Sequence, residues 1–229
     1  DQFYGILQAA LPETGIEHVI VTRAIDLLPQ PKKSLLAAVT KVLGKRPSLP
    51  ADGIIGFTDM LALQSTYPSH APVYEDICAL QYTGGTTGVS KGVMLTQGSL
   101  MSNVAQTLAM ISAGGRSVQH FTTVSPLPLY HIYAWMLNMG LMPATRGHSV
   151  LIPDPRNIPM FVGAIKSLKF EIFCGLNSLF VALLQDSKFQ KLDFSSLQIT
   201  LSGGMALMDA VAHQWHEATG CVVSEGYGM

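Results

Sequence analysis

Charged residues are scarce in this 229-residue sequence. Asp, Glu, Lys and Arg make up 13% of it, which is about half their share in an average soluble domain. The formal net charge is −1, so the sequence excludes a protein that binds nucleic acid through a large basic surface. Hydrophobic residues make up 48%, and the chain can therefore bury a sizeable core.

Cysteine and long apolar runs are also scarce. The three cysteines, Cys78, Cys174 and Cys221, are too far apart in sequence to form a zinc-binding pair. An odd number of cysteines is typical of free, buried thiols in a reducing compartment. No apolar run reaches the ~20 residues of a membrane-spanning helix, and the start of the chain lacks the basic and apolar regions of a signal peptide. Together these absences predict a cytoplasmic protein.

Short runs of β-branched and aromatic residues alternate with amphipathic stretches from residue 77 onward. We predict strands at 77–82, 121–127, 149–152, 170–174, 197–201 and 221–224. We predict helices at 100–111, 132–141, 157–168, 178–184 and 209–218, the first of them capped by Thr96 or Ser99. Such alternation is typical of an α/β fold with layered βαβ units and a mainly parallel sheet flanked by helices. Before residue 77 we predict a strand at 17–21 and a helix at 34–43.

The most distinctive loops follow predicted strands, after Tyr82, Leu201 and Ser224. Parallel sheets of α/β proteins bind ligands at the carboxyl ends of their strands. We therefore expect these three loops to share one edge of the sheet.

The loop at residues 83–92 carries the clearest chemistry, with the sequence Thr-Gly-Gly-Thr-Thr-Gly-Val-Ser-Lys-Gly. Its glycines allow the backbone to approach a ligand closely, and consecutive N–H groups in such a turn form a nest for anions. Threonine hydroxyls add donors and Lys91 adds a positive charge. The pattern differs from the P-loop of NTPases because Lys91 is followed by Gly92. The loop therefore predicts polyphosphate binding, and the alternative is a flexible surface loop.

This loop resembles the signature loop of the adenylate-forming superfamily, which includes acyl-CoA synthetases, peptide-synthetase adenylation domains and luciferases. Further segments resemble bacterial long-chain fatty-acid–CoA ligases: 80–82, 93–96, 127–132, 155–159, 192–197, 202–205 and 225–229. The resemblance covers most of the chain from Tyr74 onward and is looser over residues 1–73. It implies an incomplete acyl-CoA synthetase-like N-terminal domain.

The resemblance also implies a set of site residues. The ATP phosphates would lie against Tyr82, Thr83, Gly84, Gly85, Thr86, Thr87, Gly88, Val89, Ser90, Lys91, Gly92 and Val93. The adenine would lie against Ser202, Gly203, Gly204, Met205, Glu225, Gly226, Tyr227 and Gly228, with the Tyr227 ring stacked on it. Many family members have Ser in place of Gly84 and Pro in place of Ser90.

Two residues have catalytic roles by the same resemblance. Lys91 would neutralise charge as pyrophosphate leaves, and His131 would lie where the acyl carboxylate and the thiol meet. The alternatives are a packed or capping role for His131 and a core position for Tyr227. No metal ligand is expected in this chain, because the family's Mg²⁺-binding Glu would follow Met229.

The resemblance implies a parent enzyme that activates a long-chain fatty acid with ATP and Mg²⁺ to acyl-AMP, then transfers the acyl group to CoA. Residues 1–73 would end the first N-terminal subdomain, and residues 74–229 would form a truncated ATP- and acyl-binding α/β subdomain. With the C-terminal domain absent, we expect the isolated chain to be inactive. Two alternatives stay open: a non-catalytic nucleotide- or acyl-binding module, and a ligase for another acid. The acid pocket of that second alternative would be lined by Tyr133, Trp135 and the turn at 175–177.

A basic, proline-bounded segment at 29–50 allows two interpretations. Its helix would carry an apolar stripe of Leu35, Leu36, Val39, Val42 and Leu43, surrounded by Lys32, Lys33, Lys41, Lys45 and Arg46. Residues 32–46 would then make a peripheral contact with the cytoplasmic face of a membrane. In the alternative, the helix packs on the parent enzyme and keeps a solvated basic rim.

Overall fold

The computed structural model describes residues 4–23, 25–42, 53–63, 71–83, 90–115 and 119–228. The chain forms two compact units, residues 1–70 and residues 71–229, and each is described by itself. Gly84 to Val89, the centre of the predicted phosphate loop, lie outside the described residues, as do Leu43, Lys45, Arg46 and Met229. The assignment of 1–73 and 74–229 to subdomains of a longer enzyme stays a prediction.

The first unit contains a small parallel strand pair. Its elements are α1 (Tyr4–Ala10), a 3₁₀ turn (Leu11–Glu13), β1 (Val19–Val21), α2 (Lys32–Val42), β2 (Ile54–Gly56) and α3 (Phe57–Ala62). Val19 of β1 is buried and pairs with Ile54 of β2. The predicted strand at 17–21 and helix at 34–43 are confirmed as β1 and α2. α1, β2 and α3 were not predicted.

The described members of the apolar stripe, Leu35, Leu36, Val39 and Val42, are exposed, and Val42 at the end of α2 is 86% exposed. Both interpretations of this segment require such a stripe on α2, so exposure does not choose between them. No helix within the described ranges is both long and apolar enough to cross a membrane.

The second unit holds the larger α/β layer structure. Its strands are β3 (Ile77–Thr83), β4 (Lys91–Thr96), β5 (Thr122–Ser125), β6 (His148–Leu151), β7 (Ile172–Gly175), β8 (Ile199–Ser202) and β9 (Val223–Glu225). Its helices are α4 (Gln97–Ala113), α5 (Ile132–Trp135), α6 (Met142–Thr145), α7 (Ile158–Ile165), α8 (Asn177–Leu184) and α9 (Asp209–Thr219). A π turn at Met136–Leu141 joins α5 to α6, and a 3₁₀ turn occupies Phe189–Lys191.

Five strands form a parallel sheet in the order β6-β5-β7-β8-β9. An aromatic core covers one face, with Phe161, Phe173, Phe180, Phe189 and Trp215 among its members. A second cluster covers the other face and includes Phe121, Leu137, Leu141, Ile172 and Ile199. The prediction of a parallel sheet flanked by helices is therefore confirmed.

The predicted elements of this unit are present, with ends that shift by a few residues. The strand predicted at 121–127 ends at Ser125, because Pro126 and Pro128 cannot donate ladder hydrogen bonds. Thr96 caps α4, and its side chain accepts from the backbone N–H of Ser99. The helix predicted at 157–168 ends at Ile165.

β3 is not a strand of the parallel sheet, because among the described residues it pairs antiparallel with β4, which was not predicted. The phosphate loop therefore connects the two strands of a hairpin, in which Leu80 pairs with Met94. That the loop after Tyr82 shares an edge with the other two loops stays a prediction, since its centre lies outside the described residues.

The prediction of a buried thiol was wrong for Cys78, which is exposed on this hairpin. A two-stranded hairpin has too little structure to bury the side chains of both its faces. Cys174 and Cys221 are buried, as expected.

Candidate functional site

The carboxyl ends of β7, β8 and β9 lie side by side at one edge of the sheet. Gly175 pairs with Ser202, and Ser202 pairs with Glu225. The N–H of Gly226 donates to the carbonyl of Ser202 at 2.8 Å. Two of the three predicted nucleotide segments, 202–205 and 225–228, are therefore neighbours.

The loop at residues 203–208 is anchored from two other elements. One carboxylate oxygen of Glu225 accepts from the N–H of Leu207 at 3.1 Å, and the side-chain oxygen of Asn177 accepts from the N–H of Met208 at 3.0 Å. Gly204 has a φ of +80°, a backbone conformation that favours glycine. The position of this loop is thus set by side chains at the ends of β9 and α8.

A cavity of about 440 Å³ lies at this edge of the second unit. Predicted site residues that line it are His131, Gly203, Gly204, Gly226, Tyr227 and Gly228. Leu100 and Val104 of α4 and Leu137 and Leu141 of the π turn also line it. The cavity therefore joins an apolar wall to two glycine-rich turns.

His131 and Tyr227 both expose their side chains. His131 stands at the N-cap position of α5 but makes no side-chain capping bond. Tyr227 is 93% exposed. Among the described residues, His131 therefore makes no capping bond and Tyr227 is not packed in a core, and their site roles stay predictions.

The hairpin carries the first predicted segment. The hydroxyl of Ser90 donates to the carbonyl of Thr83 at 2.8 Å, and the hydroxyl of Thr83 donates to the carbonyl of Lys91 at 3.4 Å. The ring of Tyr82 lies across Gly92, where an added Cβ would stand 3.2 Å from its Cζ. Val93 and the Lys91 side chain are exposed. None of these residues is among those lining the cavity.

Some predicted residues border the cavity without lining it. Ser202 is buried, Met205 is exposed, and Glu225 uses its carboxylate on Leu207. Of the residues predicted for an acid pocket, Tyr133 lines the cavity, whereas Trp135 and the turn at 175–177 are not among the lining residues.

Several lining residues come from α4 and were missed as site residues: Ser99, Leu100, Asn103, Val104 and Thr107. The helical spacing of Leu100 and Val104 predicts an apolar face. Which partner that face meets is decided by tertiary packing, so periodicity alone could not identify these residues as part of a site.

Tyr133, which lines the cavity, and the buried Cys174 affect each other's pKa. The hydroxyl of Tyr133 donates to the carbonyl of Leu201 at 3.1 Å. Burial, together with the nearby Cys174, raises the pKa of Tyr133 above its usual range. Burial raises the pKa of Cys174 to about 12, and the neighbouring Tyr133 and Thr123 side chains offset a smaller part of that rise. Near neutral pH both groups are therefore protonated.

Residues 6–229 match the family described as AMP-binding enzyme. The chain belongs to this family. It is 39% identical over 232 residues to a long-chain-fatty-acid–CoA ligase of Haemophilus influenzae, with 99% of this chain and 41% of the relative covered. It is 37% identical over 234 residues to the ligase of the same name from Salmonella typhimurium, with the same coverage. The chain thus spans about two fifths of the length of these relatives, and the resemblance found in the sequence is confirmed.

Solved structures of similar fold agree with this membership. The anthranilate CoA ligase AuaEII in complex with anthranoyl-AMP matches 100% of this chain and 40% of its own, with a TM-score of 0.76 and 23% identity. ATP-bound MatB from Rhodopseudomonas palustris matches 97% of this chain and 42% of its own, with a TM-score of 0.63 and 20% identity. At such identities these likenesses show the fold.

Proposed function

We propose that this chain is the nucleotide- and acid-binding part of a long-chain fatty-acid–CoA ligase. The observation that carries the proposal is the single cavity where His131, the Gly203–Gly204 turn and the 226–228 segment meet an apolar wall. The names of the relatives in Haemophilus and Salmonella support the substrate class.

The cavity offers distinct surfaces to the two parts of an acyl-adenylate. Leu100, Val104 and Leu137 provide apolar surface for the hydrocarbon chain. Gly203 and Gly204 lack side chains, so a flat base can approach their backbone. The exposed ring of Tyr227 would stack on that base.

The proposed reaction has two steps. An oxygen of the fatty carboxylate attacks the α-phosphorus of ATP, the bond to the bridging oxygen breaks, and pyrophosphate leaves with that electron pair. The sulfur of CoA then attacks the carbonyl carbon of acyl-AMP, and AMP leaves. His131 would orient the carboxylate, and Lys91 would neutralise charge on the departing pyrophosphate.

Mg²⁺ would offset phosphate charge in the first step. Proteins often hold Mg²⁺ through one or two carboxylates together with substrate phosphates. Within the described residues, no three or more His, Cys, Asp or Glu side chains form a group that could hold a metal ion. That this chain supplies no Mg²⁺ ligand stays a prediction, because one or two carboxylates can be enough to hold the ion.

We also propose that residues 74–229 supply the site, that residues 1–73 end a preceding subdomain, and that the rest of a longer polypeptide completes catalysis. The coverage of about two fifths of the relatives supports this division. With ATP, Mg²⁺, palmitate and CoA, the isolated chain should form no palmitoyl-CoA. Palmitoyl-CoA production would show that the remaining length is not needed.

Calorimetric titration with ATP tests the nucleotide site. We expect saturable binding by the wild-type chain and binding about tenfold weaker in Lys91→Ala, since a charge-assisted contact would be lost. Lys188→Ala, which removes an exposed lysine after α8, should bind like the wild type. Equal affinity in Lys91→Ala would reject the phosphate role. The alternative acid class is tested by titrating the chain with a fatty acid and, separately, with 4-coumarate. Tighter binding of 4-coumarate would favour a ligase for another acid.

For residues 32–46 the proposal is a peripheral membrane contact. The exposed stripe of α2 beside Lys32, Lys33 and Lys41 is what such a contact requires, and it suits a helix that packs on the parent enzyme equally well. Co-sedimentation with anionic vesicles should fall after charge reversal at Lys41, Lys45 and Arg46. Unchanged binding would favour a helix that packs on the parent enzyme.

A further inference from the structure

Tyr133 connects the cavity to the turn that follows β8. Its side chain lines the cavity, and its hydroxyl donates to the carbonyl of Leu201 at 3.1 Å. Its ring lies against Gly203, where an added Cβ would stand 3.0 Å from Cε1 and 3.2 Å from Cδ1. One side chain of α5 thus touches both the cavity and the backbone on each side of Ser202.

The backbone beyond this contact leads to both nucleotide segments. Leu201 precedes Ser202, whose carbonyl accepts from the N–H of Gly226 at 2.8 Å. Gly226 precedes Tyr227, the proposed stacking residue. A shift of the Tyr133 ring would therefore displace the 203–208 loop and the Tyr227 turn together.

The hydroxyl of Tyr133 can donate to Leu201 throughout the neutral pH range. A tyrosine hydroxyl is already protonated there, and burial with the neighbouring Cys174 raises the pKa of Tyr133 further above its usual range. Ionisation of Tyr133 therefore does not break this bond near neutral pH.

We propose that Tyr133 is a positioning residue that couples occupancy of the acid cavity to the placement of the 203–208 loop and Tyr227. This inference rests on the proposed function. An acid in the cavity contacts the Tyr133 ring and restricts its motion, and the ring and hydroxyl then hold Gly203 and Leu201 in the position that receives the nucleotide. Coupling of this kind is reciprocal, so acid and nucleotide tighten each other's binding by the same factor.

Paired titrations test the coupling. The Kd for ATP is measured with and without saturating dodecanoate in the wild type, in Tyr133→Phe and in Tyr130→Phe. Dodecanoate should tighten ATP binding about fivefold or more in the wild type. In Tyr133→Phe, which keeps the ring and loses the hydroxyl, that ratio should fall to near one. Tyr130→Phe is the matched control, because Tyr130 is 81% exposed and should retain the wild-type ratio.

A preserved ratio in Tyr133→Phe, or no effect of dodecanoate on ATP binding by the wild type, would overturn the coupling. A wild-type chain that binds no ATP would contradict the proposed function instead. In that case hydrogen exchange still tests the positioning role. Tyr133→Phe should speed exchange at the Gly203 and Gly204 amides while exchange in α9 stays unchanged, and equal rates at Gly203 and Gly204 would overturn it.

A second variant changes the loop residue, Gly203, in the contact between Tyr133 and the loop. Gly203→Ala places a methyl group against the Tyr133 ring and should also speed exchange in the loop. In a Tyr133→Leu background the same substitution should cost less, since contacting residues give non-additive effects. Strict additivity would contradict direct contact between the ring and the loop.

Discussion

The indole N–H of Trp215 donates a 3.0 Å hydrogen bond to the hydroxyl oxygen of Thr200, and both side chains are fully buried. The Thr200 hydroxyl in turn donates to the sulfur of Cys221 at 3.4 Å. The Trp215 ring lies 4.7 Å from the ring of Phe180 and 5.0 Å from that of Phe173. This bond fixes α9 to β8, the strand whose end carries the 203–208 loop.

Thr200→Val should therefore destabilise the second unit. The substitution keeps the shape but leaves the Trp215 N–H buried without an acceptor, which costs about 1–3 kcal/mol. Urea denaturation followed by tryptophan fluorescence measures the change. Thr107→Val is the control, because its half-buried hydroxyl donates only to a carbonyl of its own helix. A loss in Thr200→Val no larger than in the control would contradict the prediction.

Two glycine substitutions should change stability in opposite directions. An added Cβ at Gly147 would stand 2.8 Å from the carbonyl oxygen of Phe121 and 2.7 Å from the sulfur of Met142. Gly147→Ala should thus cost about 1–3 kcal/mol through overpacking. A Cβ at Gly163 in α7 would meet nothing within 4 Å, so Gly163→Ala should gain up to about 1 kcal/mol from helix propensity. Urea midpoints that shift in the same direction for both variants would contradict these contacts.

The three thiols should differ in reactivity. Cys78 is exposed on β3, whereas Cys174 and Cys221 are buried. With a disulfide reagent at pH 8, we expect one equivalent to react quickly and two only after unfolding, since access and thiolate character control the reaction. Cys78→Ser should abolish the fast phase. A fast phase that survives in this variant would place a second thiol at the surface.

Alkaline pH should weaken the fold through Cys174. Burial raises its pKa to about 12 in the folded chain, against ~8.5 in an unfolded one. Below pH ~8.5 the thiol is protonated in both the folded and the unfolded state, so it does not make the free energy of unfolding depend on pH. Between ~8.5 and about 12 only the unfolded state ionises, so the free energy of unfolding falls as pH rises.

Urea titrations at pH 8 and pH 10.5 check this effect. The wild type should lose more stability than Cys174→Ala over this interval, because the variant has no thiol to ionise at that position. Equal losses in the two proteins would show that Cys174 does not contribute to the pH dependence.

The helical segment from Ile132 to Thr145 was predicted only in part from its apolar periodicity. Its apolar pattern predicts a buried helix, and the structure confirms one. The π turn at Met136–Leu141 was not predicted. There the side chain of Asn138 donates to the carbonyl of Ala134 at 2.7 Å and to the hydroxyl of Ser125 at 2.8 Å. A π turn inserts an extra residue and changes which side chains face a neighbour. Sequence periodicity could not predict this change in which side chains face the sheet.

The strand after the phosphate loop was missed for a related reason. Lys91–Thr96 is short and mostly exposed, so it lacks the apolar alternation that marks a half-buried strand. Its pairing with β3 depends on hydrogen bonds between backbones, to which the side-chain pattern contributes little. The loops after Leu201 and Ser224 follow neighbouring strands of the parallel sheet, as predicted. Ile199–Ser202 is mostly buried, and such strands have near-continuous apolar runs.

The sequence by itself determined the α/β fold class, the family and the loops that carry its chemistry, because these depend on local periodicity and on contiguous motifs. Only the tertiary structure decided that His131, Gly203 and Tyr227 line one cavity while Trp135 does not. The same holds for the contacts of Tyr133 with Leu201 and Gly203. Such contacts join residues far apart in the chain, and their geometry is set by how helices pack on the sheet.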